Sequence, residues 1–526
     1  MHRILIADPL HPSGLELLRE SGAEVHLLSA GERSRLNELI ADYDALVVRS
    51  MTRVDAALLR AGRRLRVVGR AGIGVDNVDT ATATELGVLV VNAPTANLIS
   101  AIEHTFALLL ALARNIPSAH ASLGAGEWER KKFQGTELQG KTLGVIGLGR
   151  IGQGVAVRAK AFGMTVMACD PYLDPAAARR LDVELVGLEE LLRGSDVVTL
   201  HTPLTEQTRN LLDRERLREM KPGALLVNCA RGGLVDEEAL LEALEKGQLG
   251  GAALDVFGEE PPRESTLPRH PRVVCTPHIG AQTREAQERV ATETVRMVLA
   301  ALEGSLAVTA VNLPFAATGD RGERYLALGD KLGRLASELL RGSVKELQVD
   351  LWGIDEGLHH ALMVAALKGA LTPFLGEAIN FVNAERVAES RGIEVVRSIH
   401  HQAGDYPQLV GIRLSGEQGE VELAGTLFGE GDARVVRFEG HRLEFRPEGR
   451  LMVLRNRDVP GVVGRVGTLL GKAGTNIAEI HLARNRGGSD AVAVLRLDQE
   501  PPVEVLERLA ALPEVSRVQL VDLERK

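Results

Sequence analysis

The chain has 526 residues, 45% of them hydrophobic and 25% charged. That is a globular balance which excludes long disorder and, at roughly 100–200 residues per domain, implies three or four domains. With 71 acidic residues against 62 basic, a formal net charge of −9 and only 3% aromatics, neither a broad basic footprint for nucleic acid nor a base-stacking platform is expected.

The opening MHRILIADPL reads as a strand and a turn rather than a leader. The longest apolar run, Phe106–Ala113, falls far short of the ~18 residues of a membrane span, so no membrane partner is expected. Short apolar runs then alternate with helical spacing. Strands are predicted at Ile4–Ala7, Ala45–Val48, Arg66–Val68, Val88–Val91, Thr142–Ile146, Thr165–Cys169, Val197–His201, Leu225–Asn228, Gly251–Asp255 and Val273–Thr276. Their continuous apolar character is that of parallel strands covered on both faces. Helical spacing in Ser13–Ser21 and Asp236–Lys246 completes repeated βα units, giving two doubly wound Rossmann-like sheets. Ser100–Ala113 is either a buried helix or a subunit contact, and Ser118–Glu137 reads as an extended arm. A helix over Thr283–Leu302 returns the chain to its first domain.

Beyond Pro314 the pattern changes. Phe315–Glu323 reads as a linker, and Tyr325, Leu328, Leu332, Leu335 and Leu339 mark an amphipathic helix. Helices near His359–Leu371 and Glu377–Arg391 and alternating strands from Glu394 to Phe445, broken at Ser415-Gly416 and Gly429–Gly431, make an α+β domain. The tail reads βαββαβ: Leu451–Arg455, Gly461–Ala473, Asn476–Ala483, Asp490–Leu497, Val503–Leu512 and Ser516–Val521. The expected domains are 1–98 with 281–312, then 99–280, 313–448 and 449–526.

The strongest chemical motif is Gly147-Leu148-Gly149-Arg150-Ile151-Gly152, between a strand and a helix. There, glycines and unpaired helix N–H groups can receive a pyrophosphate. Asp170 ends the next strand, where a carboxylate can bind ribose hydroxyls and repel a 2′-phosphate, which favours NAD over NADP. Three later strands end in Asn228-Cys229-Ala230-Arg231, Asp255-Val256-Phe257-Gly258-Glu259-Glu260 and Thr276-Pro277-His278. Singly, Arg231, Glu260 and His278 are a surface charge, a loop acid and a capping imidazole. Together, beside a dinucleotide site, they make a reaction centre. Three widely spaced cysteines, Cys169, Cys229 and Cys275, form no CxxC pair, so no metal site is expected and a reducing, cytoplasmic compartment is.

RAGIGVDNVD, GLGRIG, NCARGGLVDEEAL, ALDVFGEEPP and TPHIGAQT closely resemble the D-isomer-specific 2-hydroxyacid dehydrogenases over about residues 1–312. The resemblance implies catalytic roles for Arg231, Glu260 and His278. It implies cofactor contacts at Gly147, Gly149, Arg150, Ile151, Gly152, Asp170, Ala230, Gly280 and Ala281, with Thr202, Cys229 and Asp255 along the nicotinamide side. Substrate contacts are implied at Arg49, Ser50, Gly72 and Asn97, and the basic pair Arg130 and Lys131 could reach a substrate phosphate. Ile73 departs from the threonine common in relatives, which removes one side-chain hydrogen bond to the cofactor.

Asp458-Val459-Pro460-Gly461 followed by Gly474-Thr475-Asn476 looks like an ACT domain. From the residues alone, Pro460-Gly461 starts a helix with Asp458 near its free N–H groups, and Asn476 opens a strand. The resemblance implies an amino-acid site at Asn456, Asp458 and Asn476, with L-serine as effector. Taken whole, the chain resembles the long, ACT-bearing members of the family. That implies NAD-dependent oxidation of D-3-phosphoglycerate in a homo-oligomer with a dimer core, expected as a tetramer. A dehydrogenase for another small D-2-hydroxy acid and a redox-sensing co-repressor of the same fold are the competing readings.

Overall fold

The computed structural model describes residues 1–306, 309–316, 318–340, 342–400, 405–417, 419–429, 431–484 and 490–524. Single residues of the expected linker (317) and of the expected turn at 429–431 (430) lie outside these, as do 401–404 and 418 of the expected strand region. The chain forms two compact units, one of residues 11–13 and 94–293, the other of residues 1–10, 14–93 and 294 onward.

In the latter unit, β1 (Arg3–Ile6), β2 (Glu24–Leu27), β3 (Ala45–Val48), β4 (Val67–Arg70) and β5 (Leu89–Asn92) make a parallel sheet in the order β2-β1-β3-β4-β5. All four positions of β3 and of β5 are buried, because Val295, Val298 and Leu302 of the helix Arg284–Leu302 pack on one face of the sheet and Leu58, Leu59 and Ile40 on the other. The edge strand β2 escapes a sequence reading, since its four residues are all part-exposed and lack a continuous apolar run.

The unit of residues 94–293 holds seven parallel strands: β6 (Thr142–Ile146), β7 (Thr165–Cys169), β8 (Glu184–Leu185), β9 (Val197–Leu200), β10 (Ala224–Asn228), β11 (Leu249–Leu254) and β12 (Val273–Cys275). Their order, β12-β11-β10-β9-β6-β7-β8, reverses direction between β6 and β9. That reversal opens the crevice where doubly wound sheets bind ligands. β10, β11 and β12 are neighbours, so the loops leaving them share one end of the sheet. The helix Leu98–Ala113 buries Ile102, Phe106, Leu109 and Leu112 in this unit's core. The expected extended arm is instead helical over Ile116–Gly124, where Pro117 sets the first turn, and winds again at Arg130–Phe133.

The third region is a six-stranded mixed sheet: β13 (Val344–Trp352), β14 (Glu394–His400), β15 (Leu409–Gly416), β16 (Gly419–Phe428), β17 (Asp432–Phe438) and β18 (His441–Phe445), ordered β14-β13-β15-β16-β17-β18. The helix Gly319–Leu340 buries all five residues that mark its apolar stripe and lies against the helix His359–Leu375. That second helix belongs to a run, Glu356–Ala378, long and apolar enough to cross a membrane, a length the sequence reading missed; half of its most apolar stretch is buried within the protein. The helix expected over Glu377–Arg391 begins only at Ala384. Asn380 and Asn383 divert the backbone, Asn380 Oδ1 accepting from the Val382 N–H (2.9 Å) and Asn383 Oδ1 from the Asn380 N–H (2.9 Å). Asn380 Nδ2 also donates to the Gly87 carbonyl (2.7 Å), tying this turn to the loop before β5.

β19 (Arg450–Arg457), β20 (Ile477–Arg484), β21 (Asp490–Leu497) and β22 (Val515–Asp522) form an antiparallel sheet in the order β20-β21-β19-β22. Met452 and Leu454 face its two helices, Val462–Lys472 and Val503–Ala510. Leu451, Val453, Val494 and Val521 join the same core as Phe438 and Phe445 of the preceding domain. Polar bonds cross this junction too, with Arg455 Nε donating to Glu439 (2.7 Å) and Gln519 Nε2 to the Leu339 carbonyl (2.7 Å).

The long helix pair of the third region approaches through glycine. A Cβ on Gly333 would lie 2.0 Å from the Ala366 carbonyl oxygen. Gly333→Ala should therefore force the helices apart and cost roughly 1–3 kcal/mol, read as an earlier transition in a thermal melt.

Candidate active site

At the β6 turn, a Cβ on Gly152 would meet the Gly147 carbonyl oxygen at 2.1 Å, whereas one on Gly149 would meet nothing within 4 Å. The outer two glycines thus close the turn on itself, and the middle one leaves open space before the helix Arg150–Ala161. That is the cradle a pyrophosphate needs. Thr202, just past β9, lies against Gly147. The Asp170 carboxylate is held by the Leu148 N–H (2.9 Å) and the Tyr172 N–H (3.0 Å), which fixes it at the mouth of this turn. Arg150 is exposed, and Ile151 packs partly into the core. These residues fit a bound NAD.

Asp255, after β11, is 1% exposed. Its carboxylate accepts from Thr276 Oγ1 (2.5 Å), the Ile279 N–H (2.8 Å) and the Gly280 N–H (2.8 Å), with His104 Nε2 at 3.1 Å. Burial pushes the Asp255 pKa up, but the bonds from His104, Thr276 and Ile279 outweigh it and hold the carboxyl below its ordinary value. These donors draw the segment Thr276–Gly280 over Asp255. His278 takes a left-handed φ of +54°, and its N–H is bound to the Asp255 carbonyl (2.8 Å). A non-glycine residue held there stores strain that the surrounding bonds must maintain.

His278 Nδ1 and Glu260 Oε2 are 2.8 Å apart. The bond and charge of Glu260 raise the His278 pKa above the usual imidazole value, against burial and the positive charge of Arg231. Burial would raise the Glu260 pKa, but the His278 bond and charge bring it below the ordinary carboxylate value. Arg231 is thus near enough to act on the imidazole. Its loop is set by Asn228, whose Oδ1 accepts from the Ala230 N–H (3.0 Å) and whose Nδ2 donates to the Arg231 carbonyl (2.9 Å). A Cβ on Gly232 would sit 1.8 Å from the Phe257 carbonyl oxygen, so the loops carrying Arg231 and Glu260 are in backbone contact. Cys229 is half-buried at the core beside Asp255, and desolvation together with that negative charge pushes its thiol up to about 12, which keeps it protonated. The Ala281 carbonyl accepts from Gln287 (2.9 Å).

His104 is missing from a motif reading, and Asn228 and Thr276 stand inside its motifs without a role. Each acts through another residue, and His104 comes from a helix distant in sequence. Asn97 heads that same helix, and its buried Oδ1 has no hydrogen-bond partner among the described residues. Arg130 and Lys131 stand exposed on the Arg130–Phe133 turn. In the other unit, Arg49 and Ser50 follow β3, and Gly72 follows β4 with its carbonyl held by the Ala93 N–H (3.0 Å). In the tail, Asp458 does not serve the helix N-terminus: it pairs with Arg484 Nε (3.0 Å), and the helix starts at Val462 behind a left-handed Gly461. Asn456 Nδ2 donates to the Arg457 carbonyl (2.8 Å), and Asn476 Nδ2 to Asp498 (2.6 Å) just before β20.

Residues 106–280 match the family described as D-isomer specific 2-hydroxyacid dehydrogenase, NAD binding domain, which defines the chain as an NAD-binding 2-hydroxyacid dehydrogenase. Residues 322–439 match the D-3-phosphoglycerate dehydrogenase intervening domain and 450–514 the ACT domain. The D-3-phosphoglycerate dehydrogenase of Methanocaldococcus jannaschii is 42% identical over 527 residues, covering 99% of this chain and 100% of the relative. That of Bacillus subtilis is 40% identical with the same coverage. The crystal structure of the TT0316 protein from Thermus thermophilus is 42% identical, with a TM-score of 0.55 over 59% of this chain and 99% of that one. The chain belongs to the D-3-phosphoglycerate dehydrogenase family, in its long form with intervening and ACT domains.

The Glu260–His278 pair gives a direct test. In an NMR titration of the histidine ring protons, His278 should titrate above the ordinary imidazole range, and Glu260→Gln should bring it down. An unmoved midpoint would show that Glu260 does not set the proton affinity.

Proposed function

We propose that this enzyme oxidises D-3-phosphoglycerate to 3-phosphohydroxypyruvate with NAD, the reaction that opens the phosphorylated route to L-serine. The observation that carries the chemistry is the 2.8 Å contact of Glu260 with His278 Nδ1 beside the Arg231 charge. With Nδ1–H donated to Glu260, neutral His278 keeps its lone pair on Nε2, where it takes the C2 hydroxyl proton. Glu260 then stabilises the imidazolium. Arg231 holds the α-carboxylate and the oxygen that becomes the ketone. NAD, when bound, accepts the C2 hydride. The partnerless Asn97 Oδ1 supports a substrate donor at that helix start.

The phosphorylated substrate is supported by the full-length relatives named D-3-phosphoglycerate dehydrogenase, and by the cations Arg49, Arg130 and Lys131. The domain assignment we favour is 1–98 with 281–312 for substrate, 99–280 for NAD, 313–448 intervening and 449–526 regulatory. Ile116, Leu123 and Trp128 are 55%, 58% and 78% exposed, apolar side chains close in sequence that support a dimer core within a tetramer.

NADH formation, with the keto product trapped, should be fastest with D-3-phosphoglycerate among small D-2-hydroxy acids and far slower with NADP. A preference for D-glycerate or an aliphatic hydroxy acid would overturn the assignment. His278→Ala should lower kcat by about 10²–10⁴-fold, whereas Arg231→Ala should raise KM and lower kcat together.

The match to the ACT domain supports regulation by L-serine, with Asn456, Asp458 and Asn476 as its site. Saturating L-serine should depress initial rates in the full-length enzyme and not in Asn476→Ala. Full activity under saturating L-serine across salt and phosphate conditions would remove it.

A further inference from the structure

We infer that Asp8 and Asn77 are positioning residues for the substrate anion, which fix the Arg49–Thr52 loop in its binding shape before substrate arrives. The inference rests on the reading of Arg49 and Ser50 as contacts to D-3-phosphoglycerate. The order β2-β1-β3-β4-β5 puts the reversal of the first sheet between β1 and β3, and ligands of such sheets bind at the carboxyl ends beside the reversal. Asp8 leaves β1 and Arg49 leaves β3 at that place.

The two are bonded to each other. Asp8 is 3% exposed and accepts from the Arg49 N–H (2.7 Å), the Thr52 N–H (3.1 Å) and Thr52 Oγ1 (2.7 Å). Arg33 compensates its charge from 3.3 Å and donates to the Ala7 carbonyl (2.9 Å). From the opposite side, Asn77 Nδ2 donates to the Arg49 carbonyl and to the Thr52 carbonyl, each at 2.6 Å. Arg49 is therefore gripped at both its amide and its carbonyl, and so is Thr52. A cation presented from a backbone held at both ends loses less freedom on binding than one on a loose loop. No surface role accounts for a buried carboxylate and a carboxamide both committed to one four-residue turn. The turn they hold carries the cation proposed for the phosphate.

The test uses the full-length enzyme with three substitutions in the clamp: Thr52→Val, which keeps the shape and removes the hydroxyl donor, Asn77→Ala and Asp8→Asn. Thr52→Ser serves as the conservative control. The KM for D-3-phosphoglycerate should rise between about tenfold and a hundredfold in the three clamp variants and recover in Thr52→Ser. The KM for NAD and the pH dependence of kcat should not move. Unphosphorylated D-glycerate should lose less, so the preference for the phosphorylated substrate narrows.

Folded variants with wild-type KM values would overturn the clamp, as would a parallel rise in the KM for NAD, the mark of a general structural loss. If Asp8→Asn melts too early to assay, Thr52→Val and Asn77→Ala decide the matter. A wild-type enzyme inactive on D-3-phosphoglycerate would overturn the substrate reading and this inference with it. An active wild type with unaffected variants would overturn the inference alone.

Discussion

A carboxylate with 1% of its surface exposed is costly unless its oxygens are met by donors, and Asp255 is met by four groups. Two are the main-chain N–H groups of Ile279 and Gly280, which can reach it only when the chain folds back over the end of β11. The other two, from His104 and Thr276, bring in a helix and a neighbouring strand. The left-handed His278 is a consequence of that wrapping, and its ring is thereby delivered to Glu260. Remove the buried charge and the backbone keeps only its main-chain bonds, such as that from the His278 N–H to the Asp255 carbonyl, to hold that shape.

Around this anchor the electrostatics are divided. Glu260 raises the proton affinity of His278 while Arg231 lowers it, so the imidazole is set by two opposed neighbours rather than by burial alone. Half-buried Cys229 and His201 are kept out of this traffic. The first stays a thiol, and the second, its pKa lowered to about 4 by burial, stays neutral.

Much of the fold was legible in the sequence because its strands are central. Val-, Leu- and Ala-rich runs such as β3 and β9 are buried at every position and show in any window. Three strands were missed: β2 and the two-residue β8, edge pieces with half-wet residues, and the interior strand β13, whose buried residues only alternate with part-exposed ones and form no continuous apolar run. The late start of the helix at Ala384 was hidden because two asparagine side chains compete with the helical hydrogen bonds, and residue spacing carries no record of that competition. At the site, Arg231, Glu260 and His278 were readable because each ends a strand in a long motif. His104 and Asp8 were not, and Asn228 and Asn77 stood inside legible motifs with no role to read, since the work of all four is to hold other residues in place.

The shared core beneath β19 and β21 has a further implication. One face of the four-stranded sheet packs on its own helices and the other on Phe438, Phe445 and their neighbours, with Ile480 and Leu482 of the edge strand β20 left exposed. The C-terminal module is therefore not a detachable sensor on a tether. Cutting the chain before Arg450 would leave two newly bared greasy surfaces, one on each fragment, and recombining this module onto a foreign enzyme would require its neighbour to travel with it.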